Sequence, residues 1–355
     1  MTPEEDRLTD VALLRRHQAL LAPGTGFRDG LDRIVSGRTG ALVVVGTNVV
    51  VESASTGGFR IDVDFTPTAL RELAKLDGGI VVTADLSRIL WAGVHFMPDP
   101  AVPTAETGTR HRTADRMSQQ AGVPVVTVSA SMSTIALYLH GHRHVVERPE
   151  ADFARANQAL NTLSRYRERL RDAADALSAL EVSDQVTARD VALTAQRYEL
   201  AHRLADEIRG YVVTLGVDGR LIALQLHELT LGTASLGNQL ESDYRPDGVE
   251  SAMRIADLAG LSDDQLLDVS AVSRTLGIGG PETRLTPRGF RQLAQIPRLP
   301  PAVAARLLDH FGGLQGVLTA TRAELTEVDG IGDVRARAIR DDMLRISEAA
   351  YARLT

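Results

Sequence analysis

The chain contains no cysteine, which excludes a disulfide framework, thiolate metal sites and a cysteine nucleophile. Lysine is almost missing as well: Lys75 is the single one, and arginine supplies the rest of the 39 Lys+Arg side chains. The guanidinium fork suits phosphate, but usage this one-sided follows first from a GC-rich coding sequence. Aromatic residues make up only 4% of the chain. No apolar run approaches the roughly 18 residues that a membrane helix needs, and the opening MTPEEDRLTD is acidic rather than signal-like. A cytoplasmic bacterial protein without a membrane partner is expected. The net charge of -7 argues against a nucleic-acid binder that is basic throughout, while leaving room for a local basic face.

What is present is a soluble globular composition, 44% hydrophobic and 24% charged, on 355 residues. That length is too great for one ordinary core and implies two or three domains. Residues 5–38 read as two helices separated by Ala22-Pro23-Gly24-Thr25-Gly26. Gly24, Gly26 and Gly30 hint at a dinucleotide fingerprint, but the spacing is wrong and no strand precedes them. Ala41–Val45 reads as a buried strand that Val49–Val51 continues, and a helix is expected from Pro67 to Leu76. Ile80–Thr83 and Ile89–Ala92 read as strands, Pro98–Pro103 as an extended loop, and Thr109–Gln120 as a helix stopped by Gly122 and Pro124. Val125–Val128 and Ile135–Leu139 complete an α/β domain with a mixed sheet over residues 1–148.

Composition changes at Glu150. Leu160, Leu163, Leu170, Ala174, Leu177 and Leu180 mark one face of a long helix, and Val191–Ile208 a second. Another helix restarts after Gly216, 232–248 reads as loop, and shorter helices fill 250–276 before a linker at Gly277–Pro281. These place an all-α spine over 149–285. From Pro287 onward the pattern is again all helix, defining a third domain, 286–355. It holds ten arginines against eight acids between residues 287 and 355, so it is slightly basic where the remainder is acidic. His140, His142 and His144 share alternate positions, but Gly141 breaks the alternation and a plain surface turn is expected. Trp91 and Tyr138 read as core.

Chemistry concentrates in two stretches. Gly108-Thr109-Arg110-His111-Arg112-Thr113 puts two guanidinium groups, an imidazole and two hydroxyls at a helix start. The first N–H groups of a helix lack intrahelical partners and the dipole there is positive, so this end attracts anions. Basic side chains at the same end oppose the dipole unless an anion is bound. The stretch therefore reads as a polyphosphate receptacle. Upstream, Asp77-Gly78-Gly79 sits between a helix and a strand. Its glycines let the backbone approach a ligand, and its carboxylate can accept a hydroxyl proton or hold a divalent metal.

Leu76-Asp77-Gly78-Gly79, Val94-His95-Phe96-Met97-Pro98-Asp99-Pro100 and Glu106-Thr107 followed by the TRHRT run together resemble the diadenylate cyclase domain. With the helical spine and a C-terminal Gly330-Ile331-Gly332 turn, the chain resembles the DNA-integrity scanning (DisA) family over essentially its full length. The resemblance implies condensation of two ATP into cyclic di-AMP and two pyrophosphates, with Mg²⁺ or Mn²⁺, across two facing cyclase domains. It assigns Asp77 to the 3′-hydroxyl or the metal, and Arg110, His111 and Arg112 to the reacting phosphates. Gly78, Gly79, Phe96, Thr109, Thr113 and Ser129 would complete the ATP site. It further implies a homo-octamer, branched DNA as a partner that modulates the cyclase, and a role in DNA-damage signalling. Gly79, Gly93 and Phe96 depart from the family's usual alanine, asparagine and leucine, which bears on adenine packing and rate rather than on reaction type.

The C-terminal stretch around Gly330, Ile331 and Gly332 resembles a helix-hairpin-helix, in which a turn brings helix-start N–H groups close to a DNA phosphate. Arg335 and Arg337 would add phosphate contacts. The matching first turn, Ile296-Pro297-Arg298-Leu299-Pro300, lacks glycines and its prolines remove two donors, so at most one good phosphate site per chain is expected. The alternative to an active cyclase is a structure-specific DNA binder whose nucleotide domain binds ATP without turning it over.

Overall fold

The computed structural model describes residues 3–245 and 253–354. It divides into two compact units, Met1–Gln158 with Ile208–Leu224, and Ala159–Glu207 with Gln225–Thr355.

The first unit begins with α1 (Pro3–Leu20) and α2 (Gly26–Ser36). Thr25 caps α2 by accepting the Arg28 N–H at 3.1 Å on Oγ1, and Leu31 and Ile34 are buried on its inner face. There follow β1 (Ala41–Val45), α3 (Val49–Ser53), β2 (Ser55–Thr56), β3 (Phe59–Asp64), α4 (Pro67–Leu73), β4 (Gly79–Val82) and β5 (Arg88–Phe96). Next come α5 (Thr109–Ala121), β6 (Val125–Ser129), β7 (Thr134–Leu139) and β8 (His142–Val146). The strands form one mixed sheet in the order β2-β5-β4-β1-β6-β7-β8, with β3 also pairing β5. β1 and β4 run parallel, and β1 is antiparallel to β6. Both faces of β1 are covered, which is why its five residues read as an unbroken apolar run. Val43 and Val45 join a core with Leu31, Ile34 and Leu70, whereas Leu42 and Val44 join one with Ala114 and Met117 of α5.

Val49–Val51 does not continue the sheet: it opens α3. Asn48 decides this, since its Oδ1 accepts the Val51 N–H at 2.9 Å while its amide donates to the Ala121 carbonyl at 2.8 Å. The cap overrides the β preference of three valines. His140 and Gly141, at φ 48° and 77°, form the two-residue turn between β7 and β8, as expected for a surface turn. Among the described residues no group of three or more His, Cys, Asp or Glu is placed to hold a metal ion, and no helix is long and apolar enough to cross a membrane.

The remaining chain is helical: α6 (Pro149–Val182), α7 (Ala188–Leu215), α8 (Arg220–Thr230) and α9 (Thr233–Tyr244). A short 3₁₀ turn at Ile255–Gly260 leads to α10 (Asp263–Leu267) and α11 (Val269–Thr275). Then follow α12 (Phe290–Leu293), α13 (Pro301–Phe311), α14 (Leu314–Thr319), α15 (Arg322–Leu325) and α16 (Asp333–Leu354). Helix α9 corrects the loop expected at 232–248. Its Gly, Ser and Asn content hides Leu236, Leu240 and Tyr244, which recur every fourth residue and pack into the second unit's core. Residues 246–248, and the 250–252 start of the next helical stretch, lie outside the described residues. Gly277–Pro281 has no regular structure but is fastened: Ile278 is buried, and the Pro281 carbonyl accepts the Arg189 N–H at 3.0 Å.

Candidate active site

Sheet register brings the two chemical stretches to one end of the first unit. Val43 pairs Ile80, Gly79 pairs Val94 and Ala41 pairs Val128. The start of β1, the Asp77–Gly79 entry to β4, the His95–Phe96 end of β5 and the Ser129 end of β6 therefore share one edge. Helix α5 buries Ala114 and Met117 against this sheet. Its first turn carries Thr109, Arg110, His111 and Arg112.

The start of α5 keeps its helix-end N–H groups and basic side chains free of acidic neighbours on its own first turn. Its N-cap is Gly108, with no side-chain cap, and no acidic residue lies in the first turn. Thr109, Arg110 and Arg112 are exposed, while His111 and Thr113 are half-buried. Sequence reasoning missed Gly40, which lies against Arg110: a methyl group there would fall 2.1 Å from Arg110 Nη1. Nothing local marks Gly40, because its partner is seventy positions away. The proline-rich stretch before α5 is stapled to the helix flank. Arg116 donates to the Val102 and Pro100 carbonyls at 2.8 and 2.9 Å, and the Gln120 side chain accepts the Asp99 N–H at 2.8 Å. Two ordinary helix-face polar residues thus fix how the chain enters the α5 start.

Asp77 is exposed, and its Oδ1 accepts the Gly78 N–H at 3.1 Å. Gly78 stands at φ 105°, and a Cβ there would lie 2.7 Å from the Gly93 carbonyl carbon and the Val94 oxygen. Only glycine permits both the turn and the backbone approach. Ser129 is buried, with its hydroxyl accepting the Met132 N–H at 3.3 Å, so it also shapes the β6–β7 turn.

The two departures at Gly79 and Phe96 meet each other. A methyl at 79 would fall 2.4 Å from Phe96 Cε2 and 3.0 Å from the Leu42 carbonyl oxygen. Phe96 is buried, so its ring occupies the volume that an alanine side chain would need. Gly79→Ala alone is expected to displace the ring and cost about 1–3 kcal/mol by overpacking. Adding Phe96→Leu should recover part of that loss. Urea unfolding of the two single variants and the double variant measures the coupling; equal, additive losses would rule the contact out.

His111 is held from the sheet. Its Nδ1 lies 2.9 Å from the Tyr138 hydroxyl and 3.4 Å from Thr127 Oγ1. Burial, then the charges of Arg143 and Arg110, hold this imidazole below its ordinary pKa, with Glu106 opposing them. Tyr138 belongs to the core as expected, but its hydroxyl reaches the site.

In the second unit, the Gly330–Gly332 turn leads into α16. Gly330, at φ 86°, and Gly332 are exposed, while Ile331 is buried beneath them. Arg335 folds its guanidinium back onto the Gly330 carbonyl, and Arg337 is exposed. Arg306, which sequence reasoning missed, donates to the Asp329 carbonyl at 3.1 Å from α13. The first turn repeats the geometry without glycine. Leu299 N–H donates to the Ile296 carbonyl as Ile331 N–H does to Val328, and Arg298 takes φ 61° where Gly330 has 86°. Pro300 and Pro301 leave that copy without the N–H donors of the second.

Comparison with known proteins agrees with this layout. Residues 28–143 match the family described as DisA bacterial checkpoint controller nucleotide-binding, and 146–285 its linker region. A helix-hairpin-helix motif matches residues 313–341. DNA integrity scanning protein DisA of Streptomyces coelicolor is 53% identical over 95% of this chain and 93% of its own length. The protein of the same name from Frankia casuarinae is 50% identical over 95% of this chain and 96% of its own. The chain belongs to the DisA family. Its DisA nucleotide-binding region contains both the Asp77 turn and the α5 start. The hairpin-motif match, in turn, spans α14 to the first part of α16, so the DisA architecture accounts for both candidate surfaces.

Proposed function

We propose that this protein is a diadenylate cyclase that joins two ATP molecules into cyclic di-AMP across a pair of facing copies. The observation that carries the reading is the convergence of Asp77 and the uncapped, basic start of α5 on one sheet edge. Arg110, His111 and Arg112 bind and neutralise the phosphates, with the Thr109 and Thr113 hydroxyls beside them. Gly78 and Gly79 let the backbone approach the nucleotide, and Phe96 and Ser129 line its base pocket. Asp77 takes the proton of a 3′-hydroxyl whose oxygen attacks the α-phosphorus of the facing ATP. The bond from that phosphorus to the bridging oxygen breaks, and pyrophosphate leaves. Two such displacements close the ring.

A single exposed carboxylate suits an ion that arrives with its triphosphate, since Mg²⁺ is commonly bound by one or two carboxylates plus substrate phosphates. As the alternative to that role as base, Asp77 would be the protein ligand of Mg²⁺ or Mn²⁺, which would supply charge neutralisation during phosphoryl transfer. One copy offers one Asp77 and one α5 start, so the reaction needs a second copy. Leu76, Met97 and Met132, exposed at the site's edge, fit a face covered by that copy, within the octamer that the family resemblance implies.

DNA binding at the Gly330–Gly332 hairpin is the second half of the proposal, supported by the exposed helix start and the surrounding arginines. It would make the protein a cytoplasmic sensor in DNA-integrity signalling. Purified full-length protein given ATP and Mn²⁺ is expected to form cyclic di-AMP at a rate that changes when a four-way junction is added. Junction affinity should fall steeply as salt rises, and Arg337→Ala should lower it evenly across DNA sequences. Salt-independent binding would sink the DNA half. The Phe96 ring against Gly79 favours one other reading, an ATP-binding DNA binder without turnover. Normal ATP binding with no product from the wild type would establish that reading instead.

A further inference from the structure

We propose that Gly40 is a positioning residue: it seats the Arg110 guanidinium between the Asp77 turn and Ser129, where it takes the α-phosphate of ATP, while Arg112 takes the outer phosphates. The inference deepens the cyclase reading and rests on it for the identity of the nucleotide, but not for the geometry of the seat. A Cβ added to Gly40 would lie 2.7 Å from Arg110 Cζ and 3.1 Å from its Nη2, and its three nearest atoms all belong to this guanidinium. Gly40 is not among the glycines with positive φ, so its backbone makes no demand for glycine. The missing side chain serves one purpose, letting the guanidinium rest on the chain just ahead of β1.

The seat is fixed on both sides. Behind it α2 closes in a turn, where the Arg38 and Thr39 N–H groups donate to the Val35 and Ile34 carbonyls at 2.9 and 3.2 Å. The Thr39 hydroxyl adds a bond to the same Ile34 carbonyl at 3.3 Å. Ahead of it β1 is held between β4 and β6. Ala41 faces Val128 in an antiparallel ladder, which puts Ser129 across from Gly40. Val43 lies beside Ile80 in a parallel ladder, which brings the Asp77–Gly79 turn alongside. In the proposed site Ser129 lines the base pocket and Asp77 meets the 3′-hydroxyl, so both mark the nucleoside end of ATP. The phosphate joined to that end is the α-phosphate, the one attacked. Arg110 is exposed and makes no hydrogen bond or ion pair through its side chain among the described residues, so its five N–H donors are unspent. A guanidinium placed before the reaction needs no rearrangement as charge builds on the α-phosphate oxygens. Arg112 has no such seat. It is exposed, its side chain is likewise unpaired among the described residues, and it stands about 200° round α5 from Arg110.

The test titrates full-length protein with AMP, which carries only the α-phosphate, and with inorganic pyrophosphate, which stands for the outer two. Gly40→Ala displaces only the far end of a flexible side chain, so the urea midpoint should hold or rise slightly. AMP affinity should fall about tenfold, the worth of one charge-assisted hydrogen bond, while pyrophosphate affinity changes less than about twofold. Arg112→Ala should show the reverse pattern. For ATP, kcat/KM should fall about a hundredfold in Gly40→Ala, the scale of a misplacement of about 1 Å at a reacting centre. Adding Gly40→Ala to Arg110→Ala should change nothing further. AMP affinity unchanged in Gly40→Ala, or losses that add across the double variant, would overturn the inference. So would a lowered urea midpoint with both ligands weakened, which would make Gly40 a purely structural glycine. Absence of product from the wild type, with the AMP and pyrophosphate pattern intact, would overturn the cyclase reading alone.

Discussion

Asp77→Asn is expected to lower cyclic di-AMP formation by about a thousandfold, within the range for loss of a general base, while ATP affinity changes less than about threefold. The contrast follows from what the side chain does in the fold. Asp77 is exposed, and its Oδ1 accepts one N–H, from Gly78 at 3.1 Å. Asparagine has the same shape and an oxygen in the same place, so the turn and the φ 105° of Gly78 persist. What asparagine loses is the charge and the capacity to take a proton. The side chains proposed to bind the phosphates belong to α5, which is positioned by Ala114, Met117 and the Arg116 clamp, none of which involves Asp77. Product measured by chromatography, beside calorimetry of ATP binding in the presence of Ca²⁺ or Mg²⁺, separates the two effects. A variant that cycles ATP at the wild-type rate would remove Asp77 from the mechanism. Parallel loss of binding and product would make it a binding residue instead.

Both stretches that define this site can be read in the sequence because each is local. Thr109–Thr113 lie within one and a half helical turns, and Asp77–Gly79 within a single turn of chain. Their convergence cannot be read, because it depends on strand register between segments that periodicity alone leaves unpaired. The supporting residues are hidden for the same reason. Gly40 serves Arg110, Tyr138 serves His111 and Phe96 fills the space over Gly79, at separations of tens of residues. Elements were missed where local composition misled. β3 is exposed at almost every position, so no alternation marks it, and its pairing with β5 is what makes it a strand. α9 carries a helical period beneath residues that usually mark turns. Arg291 gives no sign in the sequence that it is buried rather than one more basic residue of a DNA-binding segment.

Arg291→Ala is expected to destabilise the second unit by about 3–5 kcal/mol, the cost of leaving a buried charge unpaired. Glu181 has 0% exposure, and its carboxylate accepts from Arg291 Nη2 at 2.7 Å, from Arg291 Nε at 3.1 Å, from the Tyr244 hydroxyl and from Gln292. Arg291 also donates to the Ala174 carbonyl and Ser178, so one guanidinium joins α6 to α12 at four acceptor atoms. Beside it, Asp243 accepts the N–H groups of Gly289, Phe290 and Arg291. These bonds favour its charged form, but burial and the Glu181 charge outweigh them and push Asp243 up to about 6. A carboxyl raised in the folded state contributes stability that is complete below its unfolded value near 4 and is lost as pH climbs to about 6. The wild-type unit should therefore lose that contribution across this window, and Asp243→Asn should flatten the dependence. Replacing both partners, Glu181→Leu with Arg291→Met, should cost much less than Arg291→Ala, since no charge is stranded. Chemical unfolding of the full chain, followed by a probe placed in the C-terminal helices, reads each value. Additive single losses would mean that the pair is not coupled. A large coupling would show that the hairpin segment is docked on its linker by this one buried pair, and the same variants should then weaken junction binding although neither residue lies on the hairpin.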